Sequence, residues 1–309
     1  MNIVIIGQGA IGLLWYFKLS QKPENNVSLQ CSERLNNAPN QLFFIDTAKQ
    51  EHQQRLRFTR EVDFQQADLV IYCLKAYAIK DAQQKYNSII NKKAIIIYSH
   101  NGLLALDNPL NQSPEHLLSS QTEISMLMTH GSLKTNDFQI IHTGAGQTDI
   151  GLIQGDISQE QIDKLINVLN TALPRVSWQS NIKEKQWLKL AINCVINPLT
   201  AIHNCDNGVI SSEDYRQAIS HLLQEIITIA EKNNLRLSLD ELTRTVLTVA
   251  ENTAENCSSM RSDILAKRKT EIDHINGFIH QQGIKHDIAT SYNTSLWQQI
   301  KKLETTYLS

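Results

Sequence analysis

Apolar residues follow two different rhythms along this chain, and the change falls near residue 180. In the first half they come in short unbroken runs. Residues 2–6 form a β-branched stretch that ends at Gly7, as expected of a strand buried on both faces of a parallel sheet. Residues 27–31, 67–74 and 94–98 repeat the pattern. Helical spacing over 13–19 and 77–90 separates these runs, and strands alternating with helices predict βαβ units. Over 124–153, Gly144, Gly146 and Gly151 punctuate runs such as QIIHT and TDIGL, which predicts antiparallel strands at one edge. Beyond Asn181 strand signals nearly vanish, and helices are predicted over 182–202, 211–233, 238–253 and 270–282. The expected architecture is a Rossmann-type α/β domain over 1–180 followed by an all-α domain over 181–309.

A length of 309 residues is about twice that of a usual single domain and agrees with this division. The net charge of −2 gives no general attraction to nucleic acid or anionic lipid, so anion binding must come from local groups. Five scattered cysteines without CxxC spacing argue against a disulfide framework or a metal site, and fit a reducing cytoplasm. No apolar run approaches the ~20 residues that cross a bilayer. The first residues, MNIVIIGQGAIG, read as a strand rather than a signal peptide.

The first chemical signal is Gly7-Gln8-Gly9-Ala10-Ile11-Gly12, a GxGxxG between a strand and a helix. Gly7 permits a tight turn, Gly9 admits a pyrophosphate to the backbone, and Gly12 lets helix and strand pack closely. The helix N-terminus adds free N–H groups and a partial positive charge. After the second strand the chain reads Cys31-Ser32-Glu33-Arg34. An acidic residue there suits a ribose diol, and an arginine suits a 2′-phosphate. Both are present; NADPH is the favoured cofactor, with Ser32 and Arg34 on the phosphate, while exposed loop charges remain the bland alternative. Lys75 and Asn101 each follow a strand at the edge where open α/β sheets bind ligands. A solvated lysine and an ordinary Asn-Gly turn are the competing readings.

The second half carries KLAINCVINPL, in which Lys189, Asn193 and Asn197 stand at i, i+4 and i+8 on an otherwise apolar helix. A buried lysine and two amides must be paired or face a cavity, so a cleft between domains is their expected location. An ammonium there suits reduction of a ketone, because negative charge grows on the oxygen as hydride arrives at carbon. Desolvation would lower the lysine pKa and ease the transfer. Further on, Ser259 is a small neutral donor suited to a carboxylate, and Thr270 with Asp273 resembles a capping pair from which Glu271 projects toward a ligand. Taken singly, these are also ordinary cap and loop residues.

Together, GQGAIG, LKA at Lys75, HNG at Asn101, KLAINCVINPLTAI, Asn207-Gly208, SSM and TEIDHINGF resemble the ketopantoate reductase family, in its order and from residue 7 to about 280. The resemblance implies reduction of 2-dehydropantoate (ketopantoate) to (R)-pantoate with NADPH, a step toward pantothenate and coenzyme A. It implies Lys189 as general acid and Glu271 as active-site carboxylate that also touches cofactor. Asn193, Asn197, Asn207 and Ser259, with Asn101, correspond to substrate-binding positions. Lys75, Asn101 and Gly131 correspond to cofactor contacts. The family commonly has arginine where this chain has Ser32, with Arg34 two residues later. A monomer or homodimer is expected. The rivals are a related two-domain β-hydroxyacid dehydrogenase, which would share a Lys-x-x-x-Asn pair but not SSM with TEIDHINGF, and a non-catalytic NADP(H) sensor, which would not need the lysine.

Overall fold

The computed structural model describes residues 1–32, 39–102 and 121–308. The chain divides into two compact units, Met1–His100 with Asp107–Ile182, and Lys183–Ser309 with Asn101–Leu106.

The first unit runs β1 (Asn2–Ile6), α1 (Ala10–Ser20), β2 (Asn26–Gln30), β3 (Gln41–Ile45), β4 (Glu51–Arg55), α2 (Glu61–Gln65), β5 (Leu69–Tyr72), α3 (Ala76–Tyr86) and β6 (Ile95–Tyr98). It continues with β7 (Glu123–Met128), β8 (Gly131–Asn136), β9 (Gln139–Gly144), β10 (Thr148–Gln154), α4 (Gln159–Ala172) and β11 (Val176–Trp178). One sheet has the order β11-β10-β7-β6-β5-β1-β2. From β2 to β7 every pairing is parallel, with β1 set between β2 and β5. Every residue of β5 and of β6 is buried, which is why these strands read as unbroken apolar runs instead of alternating ones.

The antiparallel edge expected from the glycine-punctuated region exists, since β10 runs against β7. β8 and β9 depart from that expectation. They leave the large sheet and join β3 and β4 in a second, four-stranded sheet of order β4-β3-β9-β8. β4 (EHQQR) alternates between exposed and half-exposed positions, so it carries no apolar pattern that would announce a strand.

The second unit is helical: α5 (Ile182–His203), 3₁₀ turns Asn207–Ser211 and Glu213–Tyr215, α6 (Arg216–Lys232), α7 (Leu239–Asn252), α8 (Ser259–Leu265), a 3₁₀ turn Ile272–His274, α9 (Asn276–His286) and α10 (Ser291–Thr305). Its core gathers Trp187, Leu190 and Cys194 with Leu223, Ile226 and Ile279. Ser238 caps α7, its hydroxyl accepting from Glu241 N at 3.4 Å. Two predicted helices need correction. The one expected over 211–233 begins only at Arg216, after two short turns. The one expected over 270–282 is broken at Ile275, whose backbone (φ −110°, ψ −98°) separates the 3₁₀ turn from α9. No helix among the described residues is long and apolar enough to cross a membrane.

Candidate active site

In the first unit the chain leaves β1 through Gly7, whose φ of +118° and whose missing Cβ are both required: a Cβ there would lie 2.3 Å from Cys73 O. Gly12 is required as well, since its Cβ would fall 2.0 Å from Gly7 O. Gly9 differs, because a Cβ there would meet nothing within 4 Å among the described residues. Their packing therefore does not demand glycine at 9. What it leaves clear is the start of α1, whose cap has no side-chain hydrogen bond and whose first helical bond is Leu13 N to Gly9 O at 3.0 Å. The amides of Ala10, Ile11 and Gly12 precede that bond and point out of the helix start. The cradle fits a dinucleotide pyrophosphate.

Gln8 adds a two-point clasp on the chain after β2. Its Oε1 accepts from Ser32 N at 3.0 Å, and its Nε2 donates to Ser32 Oγ at 2.8 Å. Arg34, with Glu33, lies outside the described residues. Lys75 caps α3 in extended conformation directly after β5, partly buried. Gly131 opens β8, and its neighbour Ser132 donates to Ala10 O at 3.2 Å, so this end of β8 lies beside the helix start.

The second unit holds the other group. Lys189, Asn193 and Asn197 share one face of α5, at one-turn intervals. Lys189 is partly buried, and burial lowers its pKa from 10.5 to about 8 against the pull of the Glu271 carboxylate, which raises it. Glu271 is buried, at 4% exposure, and its Oε2 accepts from Asn101 Nδ2 at 3.0 Å. The structure therefore brings Lys189, Glu271 and Asn101 together, although Asn101 directly follows the strand region of the other unit in sequence.

Asn193 and Asn207 are notable for what they leave unused. Asn193 Nδ2 is buried without a protein partner among the described residues. Asn207 opens a 3₁₀ turn and donates through Nδ2 to Thr253 Oγ1 at 3.0 Å, while its buried Oδ1 has no such partner. One amide thus offers a donor and the other an acceptor. A buried polar atom left unsatisfied costs stability, so each is a place for a polar partner, whether water or a ligand. Ser259 is the exposed first residue of α8. The residue before it, Ser258, caps that helix by accepting from Arg261 N at 3.1 Å, and bonds Thr200 Oγ1 at 2.7 Å, tying α8 to α5. Among the described residues no cluster of three or more His, Cys, Asp or Glu could hold a metal.

The expected capping pair at Thr270 and Asp273 is not formed. Thr270 Oγ1 donates to Glu304 Oε1 at 2.7 Å, while Asp273 accepts from Trp297 Nε1 at 2.7 Å and pairs with Lys301 at 3.0 Å. Glu271 consequently sits in a turn fixed by α10 instead of projecting from a first helical turn. Thr253 and Glu304, which hold Asn207 and Thr270, gave no sequence signal, because a positioning hydrogen bond leaves no local pattern; Ser258 falls within the SSM segment, but its capping role was not read from it.

Family models described as "Ketopantoate reductase PanE/ApbA" and "Ketopantoate reductase PanE/ApbA C terminal" match residues 3–155 and 181–304. The chain belongs to the ketopantoate reductase family. Relatives in it include the 2-dehydropantoate 2-reductase of Vibrio cholerae, 34% identical with 99% of both chains covered. That of Shigella flexneri is 33% identical, covering 99% of this chain and 96% of its own. Among solved structures, D-mandelate dehydrogenase with NADH and anilino(oxo)acetate has a TM-score of 0.87 at 20% identity, covering all of both chains. A family ketopantoate reductase from Ralstonia eutropha has a TM-score of 0.83, also at 20% identity over both full chains. At those identities the structural likeness speaks for the fold alone.

Proposed function

We propose that this protein reduces 2-dehydropantoate to pantoate with NADPH, using Lys189 as the general acid. The observation that carries the reading is the pair of Lys189 and Glu271: an ammonium whose pKa burial has brought to about 8, next to a buried carboxylate. Full-length relatives named for this reaction, at 31–34% identity, support the substrate.

When bound, the reduced nicotinamide supplies the hydride. Gly7, Gln8, Gly9, Ala10, Ile11 and Gly12, with Ser32, Arg34, Lys75, Asn101 and Gly131, are the residues that would hold the cofactor. Lys189 stabilises the negative charge that develops on the ketone oxygen and delivers its Nζ proton there. A pKa near neutrality makes that transfer easier than from an ordinary lysine, yet leaves the group protonated at pH 7. Glu271 favours the protonated lysine and is itself oriented by Asn101. Asn193 offers its unused Nδ2 and Asn207 its unused Oδ1 to the substrate's polar groups, complementary to a keto acid that bears a hydroxyl. Asn197 continues the polar face, and Ser259 presents a hydroxyl suited to the carboxylate.

Dihydronicotinamide oxidation by purified protein with ketopantoate tests this, with NADPH and NADH side by side. Rapid oxidation with NADPH and slow oxidation with NADH is expected. Equal rates would sink the assignment of Ser32 and Arg34 to a 2′-phosphate but keep the reductase. Turnover of a β-hydroxy acid without ketopantoate turnover would favour the related dehydrogenase, and binding without turnover of any keto acid would favour a sensor.

A further inference from the structure

Pro198 stands inside α5, between Asn197 and Leu199. A proline has no N–H, so the carbonyl four residues earlier, Cys194 O, loses its helical donor. Cys194 is fully buried, and an orphan carbonyl there would be costly. The donor comes from another segment: Asn276 Nδ2 reaches Cys194 O at 2.9 Å. Asn276 is the first residue of α9, five positions after Glu271, and is fully buried.

The other Nδ2 hydrogen of Asn276 goes to Asn293 Oδ1 at 3.0 Å. Asn293, also fully buried, donates in turn to Leu222 O at 3.2 Å and to Glu225 Oε2 at 2.8 Å. Glu225 accepts from the backbone N of Tyr292 and Asn293 at 2.8 and 2.9 Å, fixing the start of α10. One polar chain thus joins α6, α10 and α9 to α5, and it ends on the backbone of α5 at Cys194, in the stretch of sequence between Lys189 and Asn197 but on the core side of the helix. On the other side of Glu271, Thr270 N and Oγ1 both donate to Glu304 Oε1 at 2.7 Å.

We infer that Asn276 is a positioning residue for the reaction: through the carbonyl that Pro198 frees, it holds the segment of Glu271 in register with the Lys189 face of α5. The inference rests on the reading of Lys189 and Glu271 given above. A purely structural alternative is that Asn276 merely satisfies a stray carbonyl. The two differ in what Pro198→Ala does. Alanine restores an N–H at 198 that can bond Cys194 O, so it removes the orphan but not the need for alignment.

The test is a double-mutant cycle of Asn276→Leu and Pro198→Ala, read by thermal unfolding, by kcat and KM for ketopantoate, and by the alkaline limb of kcat/KM. Asn276→Leu should lower kcat by about 10²-fold, the scale expected for misalignment of about 1 Å, with little change in KM for NADPH. Its alkaline limb should move to lower pH, because Lys189 loses the support of Glu271. In the Pro198→Ala background the stability loss should shrink, while the loss in kcat and the limb displacement persist. Recovery of kcat and limb together with stability would overturn the positioning role. Should Asn276→Leu fail to fold, Asn276→Ser, which is smaller and keeps a hydroxyl, reads the same limb. Glu271→Gln separates the two levels: if its limb moves and that of Asn276→Leu does not, positioning alone fails. If Glu271→Gln leaves the limb in place, the Lys189–Glu271 reading fails and takes the inference with it.

Discussion

Lys189 carries a prediction whose size follows from its surroundings. An unburied lysine titrates near 10.5, whereas burial brings this one to about 8. The proposed step consumes the ammonium, so activity should be constant below that value and decline above it. One pH unit above, roughly a tenth of the enzyme retains the proton; two units above, roughly a hundredth. An ordinary lysine would show almost no loss at the first point and a loss of only about a quarter at the second. The two cases therefore differ by about tenfold and then about a hundredfold in kcat/KM. Glu271 raises the Lys189 pKa, so Glu271→Gln should move the decline to lower pH. Initial rates of NADPH oxidation at low ketopantoate concentration give kcat/KM at each pH, with thermal unfolding at the same pH to exclude denaturation. A profile that stays flat until the range of an ordinary lysine would refute the buried-acid argument. So would a limb that moves upward in Glu271→Gln.

The glycine motif yields a contrast within one loop. Gly12→Ala forces a Cβ to 2.0 Å from Gly7 O and should destabilise the fold by about 2 kcal/mol or more in urea titration. Gly9→Val meets no atom of the described residues at its Cβ, so stability should change by no more than about 1 kcal/mol while NADPH affinity, measured calorimetrically, falls at least about tenfold. Asn193→Leu removes a buried Nδ2 that has no partner among the described residues, so thermal stability should hold or rise while KM for ketopantoate increases at least about tenfold. Arg34→Ala should raise KM for NADPH without raising that for NADH, which comparison of the two steady-state constants checks.

Much of this arrangement is legible in the sequence where a single segment contains its own explanation. β1, the glycine turn and α1 follow one another, and packing demands Gly7 and Gly12 within that segment and its neighbour β5. The Lys189 face of α5 is likewise readable, since three polar residues at one-turn spacing on an apolar helix have few explanations. The rest depends on residues far apart in the chain. The break at Ile275 does not show in the apolar pattern: Ile272, Ile275, Phe278 and Ile279 keep a helical spacing across a segment whose start, Thr270, is held by Glu304. The second sheet escapes notice because β4 is polar throughout. α10 is similarly polar over most of its exposed length, with its buried positions at Asn293, Leu296, Ile300 and Glu304. Pro198 signals that Cys194 O needs a donor, but nothing in the sequence names Asn276, 82 residues from Cys194, as the one that supplies it.

The most direct test of the central claim is the comparison of Lys189→Ala with the wild-type protein under saturating ketopantoate and NADPH, with NADPH affinity measured separately. kcat should fall about 10²–10⁴-fold, the range for loss of a general acid, at nearly unchanged NADPH affinity. A kcat within a few-fold of wild type, with the fold intact, would contradict that claim.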